Sequence, residues 1–268
     1  MLPRNAAQPP RSTPKLLVLP PTLGDTCLAI RKALGLSRSV AYDAHGVSQS
    51  YLFDIENNLR VPTSGILDRL IDAYGLDSQQ AQHLHELREP AHHLPATGEL
   101  GAQLQHHIGL IPHLDDLEAK GILAAYIDPL YNILACNNSF HTAWPGLAET
   151  DSLLSWIFEP TAAQSAPDRD REAAHTVAIT RALAGRYRDS GQTKKLLRKL
   201  SHHDEFTRRW TSTIDVAYGR APDDLLHRDY PPTGESRSFT MTKTGVSRLP
   251  HISLITLIPM PNNGPETA

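Results

Sequence analysis

Only two cysteines, Cys27 and Cys136, occur in 268 residues, far apart and without a CxxC partner. A disulfide framework is excluded, and a reducing cytoplasm is the natural compartment. No stretch reaches the about 18 consecutive apolar residues that a membrane span needs, and no apolar segment precedes Leu16, so neither a span nor a secretory leader is expected. Aromatic residues are 6% of the chain against 40% hydrophobic, enough apolar matter for cores without an aromatic-rich surface. The net charge is −3, so a nucleic-acid-binding reading must rest on a local motif. Fourteen histidines include the pairs His92–His93, His106–His107 and His202–His203. Neighbouring helix residues point in different directions, and neither HExxH nor a cysteine pattern accompanies them, so no metal site is expected. With no phosphate-cradling glycine loop and no activated cysteine, neither a cofactor nor catalysis is expected.

What is present divides the chain. Its length favours two domains. Residues 1–21 carry six prolines and read as a mobile arm. Residues 22–89 read as a run of short helices. Residues 90–110 read as a linker, because the prolines and glycines of PAHHLPATGELGA break the pattern. Residues 111–260 mix strands with long amphipathic helices, and 261–268 form a polar tail.

Within 22–89, Leu23, Cys27, Ile30 and Leu34 share one helical face. Ser37 can cap a second helix whose Val40, Ala41 and Ala44 face inward, Gly46 supplies a tight turn, and Ser48 can cap a third helix anchored by Leu52 and Ile55. Leu67, Leu70, Ile71 and Tyr74 make the stripe of a fourth, and a fifth opens at Asp77 or Ser78. Two short helices joined by a glycine turn and flanked by supporting helices form a helix-turn-helix, whose second helix offers its first side chains to base edges. Those are Ser48, Gln49 and Ser50, with Asp54 one turn further on. A glutamine amide can pair bidentately with adenine. Arg38, Asn58 and Arg60 are candidate phosphate contacts. Residues 22–89 hold six Lys or Arg against nine Asp or Glu, which implies modest affinity per monomer and favours a homodimer on an inverted repeat of double-stranded DNA. Helical stripes also fit a bundle without a DNA role, acting as an interaction module.

The stretch from Leu23 to Leu76, with its GLS start, the GVSQSYLFDIENN turn and helix, and RVPTSGILDRL, resembles the lambda repressor and Cro (XRE) type of helix-turn-helix. One position departs from that pattern: the family often has Gln where Arg38 stands, and Arg38 lacks the amide that braces the recognition-helix glutamine. Residues 111–258 resemble the MmyB-like ligand-binding domain through AAYIDPLYNILACNNSF, LLSWIFEP, DREAAHTVAITRALAGRY, EFTRRW and YPPTG. Together the resemblances imply an all-α N-terminal helix-turn-helix domain followed by an α+β PAS-like domain with extra helices, around a mostly apolar pocket for a small, fatty-acid-like molecule. The family's Trp-x-x-His-Asp/Glu-Val pattern runs here from Trp210 to Val216, one residue longer and without the histidine, and its His-Pro reads Tyr230–Pro231. Both departures imply a different headgroup.

The aromatic residues Trp144, Trp156, Phe158, Phe206 and Trp210 are candidate pocket walls, though the same side chains fit an ordinary core. Arg208 is a candidate for a carboxylate headgroup. Residues 181–209 hold nine Lys or Arg and three Asp or Glu, a pattern that fits a solvated helix face or a second DNA contact.

Overall fold

The computed structural model describes residues 18–150, 152–221, 223–230 and 234–261. Most of the expected arm, residues 1–17, and the expected tail beyond Pro261 lie outside the described residues. The end of the arm is fixed rather than free: Val18 is buried in the core of the larger domain and its N–H donates to Ser201 Oγ at 3.2 Å.

The smaller domain contains α1 (Leu23–Ala33), α2 (Arg38–His45), α3 (Gln49–Glu56), α4 (Ser64–Ala73) and α5 (Ser78–Arg88). Side-chain caps set four of the starts. Thr22, Ser37 and Ser48 each accept from a backbone N–H in the first turn, and Asp77 forms a capping box with Gln80. Gly46 ends α2 at φ 63°, the left-handed conformation that turns the chain into α3. Gly24 is required for another reason: a Cβ there would lie 2.4 Å from the Ile55 carbonyl oxygen. Cys27, Ile30, Leu52, Ile55, Leu67 and Leu70 form the core. Val40, expected inside, is 50% exposed.

Beneath that core lies a buried charge network. Arg31 Nη2 donates to Glu56 Oε2 at 2.9 Å and Nη1 to the Leu36 carbonyl at 2.6 Å. Arg38 Nε donates to Glu56 Oε2 at 2.8 Å. Burial works against the Glu56 charge, but the hydrogen bonds from Arg31 and Arg38 outweigh it and hold the carboxyl below its ordinary range.

The larger domain contains α6 (Thr97–His106), α7 (Leu110–Ala119), β1 (Leu123–Ile127), β2 (Ile133–Cys136), α8 (Asn138–Ala143), α9 (Leu147–Thr150), α10 (Leu153–Trp156), α11 (Arg169–Arg186), α12 (Gly191–Leu200), α13 (Asp204–Ser212), β3 (Leu226–Tyr230), β4 (Glu235–Val246) and β5 (Leu249–Pro259). The strands form one antiparallel sheet in the order β2-β1-β5-β4-β3. This is the expected α+β, PAS-like arrangement with extra helices. Period-2 alternation splits the sheet. Leu123, Ala125, Ile127, Leu226, Phe239, Ile255 and Leu257 face the main core, while Ala124, Tyr126 and Ile252 face a second layer. That layer consists of α6 and α7, whose Leu100, Leu104, Leu114 and Leu117 cover the outer face of the sheet. The expected linker 90–110 is therefore an extended piece followed by structured helix. Its leucines have helical spacing and a sheet to cover, and that outweighs the glycines between them.

The two domains pack through α5 and α11. Glu86 on α5 accepts from Arg186 on α11, from the Tyr218 hydroxyl at 2.9 Å and from Gln82 at 3.1 Å. The Tyr218 N–H donates to Gln79 at 2.9 Å, and Arg188 reaches the carbonyls of Glu86 and Glu89. Ile214 packs against the smaller domain's core. His83 lies against Gly185, where a Cβ would come 2.5 Å from its ring.

Two outcomes follow from the buried charges. Glu56→Ala leaves Arg31 unpaired and should cost about 3–5 kcal/mol of the smaller domain's stability in urea unfolding. His83 is buried with neither ring nitrogen hydrogen-bonded. Burial, aided by Arg181 and Arg188 and opposed by Glu86, pushes its pKa down to about 4. The unfolded chain takes up that proton near pH 6.5, at about the ordinary histidine value. Between the two values the unfolded state binds more protons, so stability falls as pH drops from about 6.5 toward 4, by up to roughly 3 kcal/mol. Unfolding measured across that window should show the slope, and His83→Leu should flatten it.

Candidate nucleic-acid interface and ligand cavity

The N-terminus of α3 presents Ser48, Gln49 and Ser50 to solvent. The Ser48 hydroxyl is occupied as a cap, accepting from the Tyr51 N–H at 3.3 Å, so Gln49 and Ser50 are the side chains left to face outward. Asp54 is half-buried and lies 4.0 Å from Arg60, whose guanidinium stacks 4.9 Å over the Tyr51 ring while remaining 56% exposed. Arg60 is thus held beside the helix with its charge accessible.

Two expected phosphate contacts have other work. Arg38 is committed to Glu56 and lies 5.0 Å over the Phe53 ring, bracing α3 from the side. Asn58, at φ 56°, accepts the Gly24 N–H at 2.9 Å and ties the end of α3 to the start of α1. The Oδ1 of Asn58 and the Nε edge of Arg38 are thus engaged within the helix-turn-helix, while Asn58 and part of the Arg38 side chain remain exposed. The sequence carried a signal for the first: Arg31, Arg38 and Glu56 all fall in a domain too small to bury a lone charge.

In the larger domain a cavity of 540 Å³ opens between the inner face of the sheet and helices α10 and α11. Trp144 and Trp156 line it, as expected. Phe158, Phe206 and Trp210 do not: Phe158 and Phe206 meet edge to face at 5.4 Å, Trp210 lies 5.4 Å from Phe206, and all three belong to the packing between α13 and the core. Arg208 is exposed on α13 and is not part of the cavity wall. The i, i+4 spacing of Phe206 and Trp210 showed that they share a face; it did not show that the face meets other side chains rather than a void.

The polar part of the wall comes from residues that sequence reading passed over. β3 brings Arg228, α11 brings Glu172 and His175, the loop before β3 brings Tyr218 and Arg220, and β4 brings Lys243. Arg220 is neutralised by Glu172 at 2.6 Å and Asp224 at 2.8 Å. Burial, then Arg220, lowers the pKa of His175 and favours its neutral form. Lys243 stands 4.5 Å over the Tyr131 ring and 3.4 Å from its hydroxyl, and burial lowers its pKa. Tyr131 takes a positive φ of 59° in a turn tied down by Asp128, whose carboxylate accepts from the N–H groups of Leu130 and Asn132. A non-glycine residue held there is strained, and the turn hydrogen bonds hold it in place. A cavity of this size, walled by apolar and aromatic side chains together with several polar and charged ones, suits a small-molecule ligand.

Residues 114–268 match the family described as MmyB-like transcription regulator ligand binding domain. Residues 28–80 match a family described as helix-turn-helix. No curated relative matches the chain. Among the described residues no helix is long and apolar enough to cross a membrane, and no group of His, Cys, Asp and Glu is arranged to hold a metal ion.

The cavity can be tested by filling it. Met241 is half-buried in the wall on β4. The native chain should raise the fluorescence of anilinonaphthalene sulfonate by holding it in this cavity, and Met241→Trp should abolish that gain. Retention of the full signal would place the dye elsewhere.

Proposed function

The chain belongs to the MmyB-like transcription regulators, and we propose that it binds an inverted-repeat DNA operator as a cytoplasmic homodimer under the control of a small apolar ligand. One observation supports ligand control above the others. The helix and loop that wall the cavity also hold the DNA-binding domain. α11 lines the cavity with His175, Thr176 and Ile179 and, two turns on, carries Gly185 and Arg186 against α5. The 214–220 loop packs Ile214 on the smaller domain, binds Glu86 and Gln79 through Tyr218, and lines the cavity with Tyr218, Gly219 and Arg220. A ligand that moves either element changes the seat of α5. It can shift DNA binding only by its differential affinity for the two arrangements, typically about 1–3 kcal/mol.

Gln49 is the proposed base reader and Arg60 the proposed phosphate contact. The dimer follows from the few side chains one α3 offers and from the acidic balance of its domain. Half-sites should be one helical turn apart, about 10 base pairs, or a multiple of that.

Gln49→Ala should cost about 1–3 kcal/mol on the cognate site and relax preference at one base pair, while Arg60→Ala should weaken all sequences and lower the salt slope. Gel-shift titration against the gene's upstream DNA reads both. Uniform weakening by Gln49→Ala removes its readout role, and absence of any DNA shift leaves the smaller domain as a protein-interaction module. Tyr218→Phe keeps the ring in the cavity wall but removes its hydrogen bond to Glu86. It should reduce the effect of ligand on operator affinity, measured in the same titration, more than it reduces ligand affinity.

A further inference from the structure

Helix α12 has one buried face and one cationic face. Thr193, Leu197 and Leu200 are buried, which leaves Lys194, Lys195 and Arg198 exposed together on the opposite side. No acidic residue occurs between Asp189 and Asp204. Among the described residues none of the three cations forms an ion pair, whereas Arg169, Arg209 and Arg220 of the same domain are each matched by a carboxylate.

The path of the chain places this helix beside the smaller domain. A pocket of 190 Å³ at the domain boundary is lined by Thr22, Asn58, Arg60 and Val61 from one side and by Arg188 from the other, and none of its lining residues is acidic. Arg188 is held there by the carbonyls of Gly185, Glu86 and Glu89, without an ion pair among the described residues. Both ends of α12 are tethered to this pocket. Its first residue, Gly191, follows Arg188 closely enough to lie at most about 11 Å away. Ser201, at its other end, accepts from the Val18 N–H at 3.2 Å, and the chain from Val18 to Thr22 spans at most about 14 Å. The helix therefore runs alongside a pocket that Arg60, the proposed phosphate contact, also lines.

We infer that the larger domain also touches DNA, with Lys194, Lys195 and Arg198 contacting phosphates of the duplex beside the half-site that α3 reads. The inference rests on the reading of the smaller domain as DNA-binding and adds a second contact surface to it. The smaller domain holds six Lys or Arg against nine Asp or Glu. Its own charge therefore supplies little of the counterion release on which non-specific DNA affinity depends. Three unpaired cations on a helix anchored by buried leucines add that charge, and phosphate contacts of this kind position a protein without reading sequence. An anionic membrane surface fits less well, because α12 exposes no apolar side chain among its cations to enter lipid.

The test is fluorescence anisotropy of the full-length protein on a random-sequence DNA duplex across a salt series. Lys194→Gln, Lys195→Gln and Arg198→Gln together should lower the salt slope by about 3 per protomer. A control variant, Lys120→Gln with Arg208→Gln and Arg248→Gln, removes the same charge from exposed positions elsewhere on the domain and should keep close to the native slope. If the triple variant on α12 does not fold, Lys194→Gln alone should lower the slope by about 1. An equal fall in both triple variants overturns the inference, because net charge alone would then account for it. A native slope in the α12 variant overturns it too, and a slope still lowered by Arg60→Ala then leaves the smaller domain as the DNA reader. Failure of the native chain to bind any duplex, its own upstream DNA included, overturns both readings. Binding to phosphatidylglycerol vesicles that the α12 variant loses, with its DNA slope unchanged, would assign the face to a membrane surface instead.

Discussion

Glu86 is the point on which the two-domain arrangement turns. Its carboxylate projects from the last helix of the smaller domain into the larger one. There it accepts from Arg186 on α11 and from the Tyr218 hydroxyl, while the arginine itself lies 5.2 Å over the tyrosine ring. Burial opposes the charge on Glu86, yet the hydrogen bonds from Arg186, Gln82 and Tyr218 hold its carboxyl below the ordinary range. Arg186 and Tyr218 belong to elements that also wall the cavity. The contact that seats α5 is therefore made by groups on the same helix and loop that wall the cavity. His83 reinforces this geometry. It stays neutral in a dry contact that only a glycine at position 185 can admit.

The two domains treat buried charge in opposite ways. In the smaller one, Arg31, Arg38 and Glu56 satisfy one another, and the ion network fixes the angle between α1, α2 and α3. Arg38 braces the recognition helix through Glu56 and Phe53 while part of its side chain stays exposed. In the larger one, Arg220 is satisfied by Glu172 and Asp224, whereas Arg228, on the inner face of β3, is not. Satisfied buried charges hold a structure in register, whereas Arg228 rests on the faces of Trp144 and Trp156 with no ion pair among the described residues.

The fold class was legible in the sequence wherever local chemistry and hydrophobic period agreed. Ser37, Gly46, Ser48 and Asp77 mark helix ends by side-chain hydrogen bonding and by φ, and the structure uses each of them so. The mixture of strands and long helices over residues 111–260 was legible as well, and the structure has it. Helices α6 and α7 did not stand out, because glycines and prolines around four leucines resemble a linker until a sheet face is there to be covered. β3 was missed for a related reason: a five-residue strand containing His, Arg and Asp carries no apolar alternation.

The amino-acid sequence by itself determined the helix-turn-helix, the exposed position of Gln49 at the start of its second helix, and the α+β character of the rest, since caps, turns and periodicity act over a few residues. It also singled out Trp144 and Trp156, which line the cavity. It did not separate them from Phe158, Phe206 and Trp210, because all five are large aromatics and whether such a ring meets a void or another ring depends on chain segments distant in sequence. The same holds for Arg228, Glu86 and Tyr218. Their neighbours lie up to 132 residues away, and only the closing of the sheet over α11 decided that one would meet a cavity without a counter-charge and the others would join two domains.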